Sequence, residues 1–202
     1  MSGRRQSGGR KAEILAATLD LAFEIGPDHV STTKIAARLG LSQPAIYKHF
    51  PRKEDIWLMV SEQMCARMAE NAAACSRAGP MPLDRVRQLV LSHLSLVTQM
   101  PALPEIMVTR DPTGSLTKAR GRIQAAMVRL REAITEELDR ARAAGQLRAG
   151  LSPQDGVTLL FGIIQSLVLR LIVTRDPTPI VQDGERLLDL QLALFASAGD
   201  DI

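Results

Sequence analysis

The sequence predicts an all-α protein: an amino-terminal three-helix unit of the helix-turn-helix kind, followed by a larger helical body. Three observations predict this. Two short helical segments meet across a tight turn near Gly40, apolar residues recur at helical spacing through most of the chain beyond it, and glycine and proline break those stretches at regular intervals. With 202 residues the chain suits one small unit, residues 1–53, and one larger one, residues 54–202.

In the first pair of segments, Ile35, Ala36 and Leu39 share one helical face, and Gly40 can adopt the left-handed conformation that ends a helix. Ser42 stands where a cap for the next helix belongs. The turn is thus about three residues long, as a helix-turn-helix requires. Pro44 suits the first turn of the second helix, and Pro51 ends it by forcing Phe50 toward extended geometry. The second helix is short.

Ile46 and Phe50, together with Leu41, take the inward face of that helix. Gln43, Ala45, Tyr47, Lys48 and His49 point outward or along the rim, and they suit a DNA groove: an amide for a base edge, a methyl for thymine, and a phenol, an ammonium and an imidazole for phosphates. Lys53 opens the next helix, where its charge and the helix's first amides both suit a phosphate. A three-helix unit of this size also serves as a plain packing module, with Tyr47 half-buried; the number of outward positions suited to a groove favours DNA.

Charge agrees. Residues 1–53 hold nine Lys and Arg against four Asp and Glu, which leaves a net −2 for the remainder of a chain whose total is +3. Arg4, Arg5, Arg10 and Lys11 form a Gly- and Ser-interrupted basic arm, read either as a phosphate-tracking or minor-groove arm or as a solvated tail.

The body is helical from its first residues. A helix from about Arg52 runs through Ile56, Val60, Met64 and Met68 toward Ser76, and Gly79-Pro80 breaks it. Pro82 opens the next, with Leu83, Val86, Val90, Leu94 and Val97 in register. Pro101 and Pro104 frame a short helix at Ile106 and Met107, and a loop spans Asp111 to Gly114. A long amphipathic helix then runs from Leu116 to Gly145. Ser152-Pro153 starts a helix that is apolar almost all round from Val157 to Val173, and the last helix is loaded with leucines up to Phe195. Only 14 uncharged residues separate Asp155 from Arg170, short of the roughly 20 that a bilayer-spanning helix needs, so a partner surface rather than a membrane is expected. Gly162, Ser166, Leu171, Leu188, Leu192 and Phe195 are the candidate homodimer interface.

The residues of the first unit resemble the TetR family of transcriptional regulators. The resemblance is carried by Ile14-Leu15, Ala17, Phe23, Gly26, Thr32, Ile35-Ala36, Gly40, Ser42, Tyr47, His49, Phe50, Lys53 and Glu54. It implies that Thr32, Thr33, Gln43, Pro44, Ala45, Tyr47, His49 and Lys53 occupy DNA-contacting places, with Gln43 and Ala45 reading bases and Tyr47 and Lys53 gripping phosphate. Thr33 stands where some members carry a basic residue, and Ala45 where some carry a hydroxyl, so the operator need not match that of any of them.

The resemblance further implies a ligand-binding and dimerisation domain in the body, and repression of a palindromic operator relieved by a small effector. Met64, Met68, His93, Val97, Met100, Met107, Met127, Phe161 and Gln165 are candidates to line an effector site, and the adaptable methionines suit a lipophilic or aromatic molecule. They equally suit a plain core, and a helical interaction protein of the same fold without DNA binding is the other reading. No phosphate-binding glycine loop, nucleophile elbow or metal-spaced cluster is present, so neither an enzyme nor a cofactor is expected. Cys65 and Cys75 read as structural, and the polar, basic amino terminus is unlike a signal peptide, which points to the cytoplasm.

Overall fold

The computed structural model describes residues 3–75, 79 and 81–197, with side chains from Gly9 onward. Among these, nine α-helices and a 3-10 turn form two compact units, one of Met1–Cys65 with Met100–Gln124 and one of Ala66–Gln99 with Ala125–Ile202. Compactness therefore divides the chain within α4, at the end of α5 and within α7, whereas the sequence leads one to expect a boundary after residue 53.

In the first unit, α1 (Gly3–Ile25) buries Ile14, Leu15, Leu21 and Ala22, and a 3-10 turn follows at Pro27–His29. The residues read as a basic arm continue α1 from Gly3; the side chains of Arg4 and Arg5 lie outside the described residues. Ser31 caps α2 (Thr32–Arg38) by accepting from the Lys34 amide at 3.2 Å. At its other end Gly40, with φ 64°, lets its own amide reach Ala37 O and the Leu41 amide reach Ala36 O at 2.8 Å. This paired closure satisfies the last carbonyls and turns the chain within three residues.

α3 (Gln43–Tyr47) has Pro44 in its first turn. Ser42 holds the cap position, yet its hydroxyl makes no capping bond. Pro44 has already removed one of the amides in need of an acceptor. Ile46 and Phe50 are buried beneath α3, as their spacing predicts.

α4 (Lys53–Cys75) starts where the Asp55 carboxylate accepts from the Arg52 amide at 3.0 Å and from its guanidinium. Ser76 and Pro80, at the predicted end of this helix, lie outside the described residues. α6 (Leu103–Val108) and the first turns of α7 (Thr117–Ala143) complete this unit. The Arg120 guanidinium donates to the carbonyls of Ile106, at 2.7 Å, and Thr109, while Arg122 pairs with Glu62 at 2.8 Å. Asp111 accepts from the Leu116 amide at 2.8 Å and so starts α7.

The second unit packs α5 (Pro82–Gln99), the rest of α7, α8 (Pro153–Thr174) and α9 (Ile180–Phe195) around Val86, Val90, Leu94, Ile134, Leu138, Leu160, Leu188 and Phe195. Gly184 sets how closely α9 can approach, because a Cβ there would lie 2.3 Å from the buried Leu94 Cδ1. Ion pairs join the same helices at their rims. Arg87 reaches Asp189 at 2.7 Å and Glu185 at 2.6 Å, and Arg170 reaches Asp183 at 2.7 Å. Arg85 and Glu137, both largely buried, pair at 2.8 Å between α5 and α7.

α8 is longer than its charge-free stretch suggested. At 22 residues it is long and apolar enough to cross a membrane by length and composition, because Asp155 falls in its first turn and Arg170 in its last turns. Val157, Leu160, Phe161, Ile164, Leu167 and Leu171 are nonetheless buried in the second unit, as in a core helix.

Candidate nucleic-acid interface

The turn between α2 and α3 places a polar cluster on the reading face. Thr32 Oγ1 accepts from the Gln43 side-chain amide at 2.9 Å and lies 3.3 Å from the Tyr47 hydroxyl. A threonine hydroxyl has one proton and two lone pairs, so it can serve both partners at once. Thr32 itself is buried, whereas Gln43 is exposed and Tyr47 is 43% exposed. Thr32, expected from the sequence to contact DNA, is buried and contacts two side chains that do reach the surface.

Around this cluster Thr33, Pro44 and Lys48 are exposed, and Ala45 and His49 are half-buried. Lys53, also half-buried, stands at the first position of α4. Burial pushes its pKa down, against the opposing pull of the Asp111, Glu54 and Asp28 carboxylates. Several other cations of the head are engaged internally. Arg38 pairs with Glu24, Arg52 with Asp55 and Arg10 with Glu13, Lys34 donates to His29 O, and Lys11 lies 5.5 Å from the Phe50 ring centre. The Arg38 pair spans 14 residues of sequence and has no local signal. Lys48 is exposed one residue beyond Tyr47, and Lys53 opens α4 five residues later.

The effector candidates are divided. Met64, Met100 and Met107 belong to the first unit, and Met68, His93, Val97, Met127, Phe161 and Gln165 to the second. Met64, Met100, His93, Val97 and Phe161 are buried, and Met68 and Met127 are half-buried. Met107, at 39%, and Gln165 are exposed. The Arg131 guanidinium lies 4.3 Å from the Phe161 ring centre. His93 Nδ1 is buried without a hydrogen-bond partner, and burial lowers the His93 pKa to about 4. Leaving such an atom unpaired costs about 1–3 kcal/mol.

The apolar carboxy-terminal helices sort differently from the sequence expectation. Leu171, Leu188 and Phe195 are buried within the chain's own core, and Leu192 is half-buried. Gly162 and Ser166 are exposed, on one face of α8 with Leu159, Leu169 and Val173; Leu190 and Leu194 are exposed on α9. α8, apolar nearly all round, gives no phase in the sequence, whereas α9 carries Asp183, Glu185, Arg186 and Asp189 away from its buried Leu188 and Phe195. Cys65 Sγ lies 3.5 Å from Arg122 O and Cys75 Sγ 3.8 Å from Ser92 Oγ. Among the described residues no cluster of His, Cys, Asp and Glu is suited to a metal.

Residues 14–59 match the model of bacterial regulatory proteins of the tetR family, and residues 113–183 match the tetracyclin repressor-like carboxy-terminal domain. The chain belongs to the TetR family. TetR-family proteins are DNA-binding transcriptional regulators that act as dimers and bind small-molecule ligands. The tetracycline repressor protein class A from transposon 1721 of Escherichia coli is 43% identical over 53 residues, 26% of this chain and 24% of that one. The nucleoid occlusion factor SlmA of Sodalis glossinidius (strain morsitans) is 28% identical over 154 residues, 69% of this chain and 78% of its own. The ketosteroid transcriptional regulator KstR2 of Mycobacterium tuberculosis has the same fold, with a TM-score of 0.77 at 17% identity over 94% of this chain and 96% of that one.

Proposed function

We propose that this TetR-family regulator is a repressor that holds a palindromic operator as a homodimer and lets go when a small lipophilic or aromatic molecule occupies its body. The observation that carries the reading is the Thr32–Gln43–Tyr47 network. It fixes an amide and a phenol on a short exposed helix before any DNA arrives, which lowers the cost of ordering them on binding. The bond to Thr32 uses one amide hydrogen of Gln43; the other hydrogen and the carbonyl oxygen are the pair that reads adenine at N7 and N6. Ala45 meets a thymine methyl, and Tyr47, Lys48, His49 and Lys53 hold phosphates. Residues 1–53 act as the reading head, and residues 54–202 bind effector and partner.

A five-residue recognition helix reads few bases, so a second copy is needed. Leu159, Leu169 and Val173 on α8, with Leu190 and Leu194 on α9, are exposed large apolar groups on neighbouring helices, and we assign them to the dimer interface. Two heads on a two-fold axis then reach half-sites about 34–36 Å apart. Such a protein works in the cytoplasm, where the DNA is.

A mobility-shift titration with duplex DNA from upstream of its own gene tests the reading. A sequence-specific shift is expected, with an affinity that falls steeply with salt. Lys53→Ala should flatten the slope of log affinity against log salt by about one, and Gln43→Ala should relax preference at one base pair. Binding that ignores sequence, or no shift at any salt, contradicts the proposal.

A further inference from the structure

Among the described residues three buried side-chain polar atoms have no hydrogen-bond partner: Trp57 Nε1, His93 Nδ1 and Gln146 Oε1. Gln146 lies half-buried just after α7, at the edge of its unit, and its amide nitrogen is 3.6 Å from Met81 Sδ, so its side chain is already partly engaged. Trp57 is a large apolar side chain that fills the core of the first unit, and its one N–H is a small part of it. His93 is different. Its imidazole is chiefly polar, it stands in the middle of α5, and the residues three and four positions away on either side, Leu89, Val90, Leu96 and Val97, are all buried.

We propose that His93 Nδ1 is the polar anchor of the effector site, and that the effector is an uncharged, largely apolar molecule carrying a hydroxyl group. The inference rests on the effector-binding reading given above. Burial alone holds the ring neutral at neutral pH, with no carboxylate or cation contributing to its shift. In a neutral imidazole Nδ1 is a donor in one tautomer and an acceptor in the other. A hydroxyl, with one proton and two lone pairs, satisfies either; a carbonyl satisfies only one. A carboxylate would bring a charge into apolar surroundings opposite an uncharged ring. A hydrocarbon would leave Nδ1 as unpaired as before. The second unit also holds Val97 and Phe161, which are buried and apolar, and the half-buried Met68 and Met127, whose unbranched side chains adapt to a lipophilic body.

The test uses the full-length protein and three probes of one ring size, naphthalene, 2-naphthol and 2-naphthoate, titrated calorimetrically at neutral pH. The expected result is that 2-naphthol binds about tenfold more tightly than the other two, the worth of one hydrogen bond, and that His93→Leu removes this advantage. In parallel, the protein's three histidines are labelled with nitrogen-15. The His93 Nδ1 resonance should move with 2-naphthol and stay with naphthalene, a readout that needs no variant. Equal binding of naphthalene and 2-naphthol, or an unmoved Nδ1 resonance, overturns the role of His93 and leaves the effector reading standing. Preference for 2-naphthoate overturns the uncharged class. Failure of all three probes to bind overturns the effector reading and this inference with it.

Discussion

Thr32 and His93 show how one buried polar side chain takes opposite roles depending on its neighbours. Thr32 is satisfied by Gln43 and Tyr47, so its burial organises a surface. Thr32→Val keeps the shape and removes the hydroxyl; we predict operator affinity lowered about tenfold, from the loss of about one hydrogen bond's worth of ordering. Gln43, being exposed, hydrates instead, so urea unfolding should change by no more than about 1.5 kcal/mol, the net worth of one hydrogen bond. A DNA titration beside a urea melt checks both. His93, unsatisfied, should instead appear in stability. Its folded pKa is about 4 against an ordinary value of 6.5, so as pH falls the unfolded chain takes up the proton first. Stability is therefore full above about pH 6.5 and is lost as pH falls toward 4, by a few kcal/mol. Denaturant melts from pH 7.5 to 4 should show a shallower loss in His93→Leu than in the wild type; parallel curves would contradict the buried neutral ring.

At the scale of elements, helix ends were legible and helix phases were not. Gly40, Pro82, Ser152-Pro153 and Gly145 announce their ends through local chemistry, and the structure starts or stops helices beside each of them. Amphipathic α7 was equally plain. α8 and α9 were read as helices, but three of their proposed interface residues, Leu171, Leu188 and Phe195, are buried in their own unit. α8 holds too little polar contrast to tell inside from outside, whereas α9 carries Asp183, Glu185, Arg186 and Asp189 away from its buried Leu188 and Phe195, a contrast that its many leucines obscured. Of the reading face, the outward residues of α3 followed from spacing, whereas the Thr32 hub and the Arg38–Glu24 pair depend on chain segments that meet only after folding. Close helix approach gives a further prediction. Gly184→Ala should destabilise by about 1–2 kcal/mol, because overpacking against Leu94 outweighs the gain in helix propensity. Gly121→Ala on exposed α7, with nothing near its Cβ, should stabilise by about 0.5–1 kcal/mol. Thermal melts of the two variants moving in the same direction would contradict that packing.

For the whole molecule, the exposed apolar groups of α8 and α9 connect stability to function. Leu169 is 62% exposed and Leu190 58%, so Leu169→Glu with Leu190→Glu spares the chain's own core. The doubly substituted protein should sediment as a folded 22.0 kDa monomer and lose most operator affinity, since two half-sites no longer share one binding event. A dimer that persists would place the interface elsewhere. The central claim, that two short reading helices act together on DNA, is tested most directly by in vitro selection from a random duplex pool at physiological salt. The account predicts enriched inverted repeats whose half-site centres lie about 10–10.5 base pairs apart or a multiple of that. Enrichment of a single unrepeated site, or none, would contradict it.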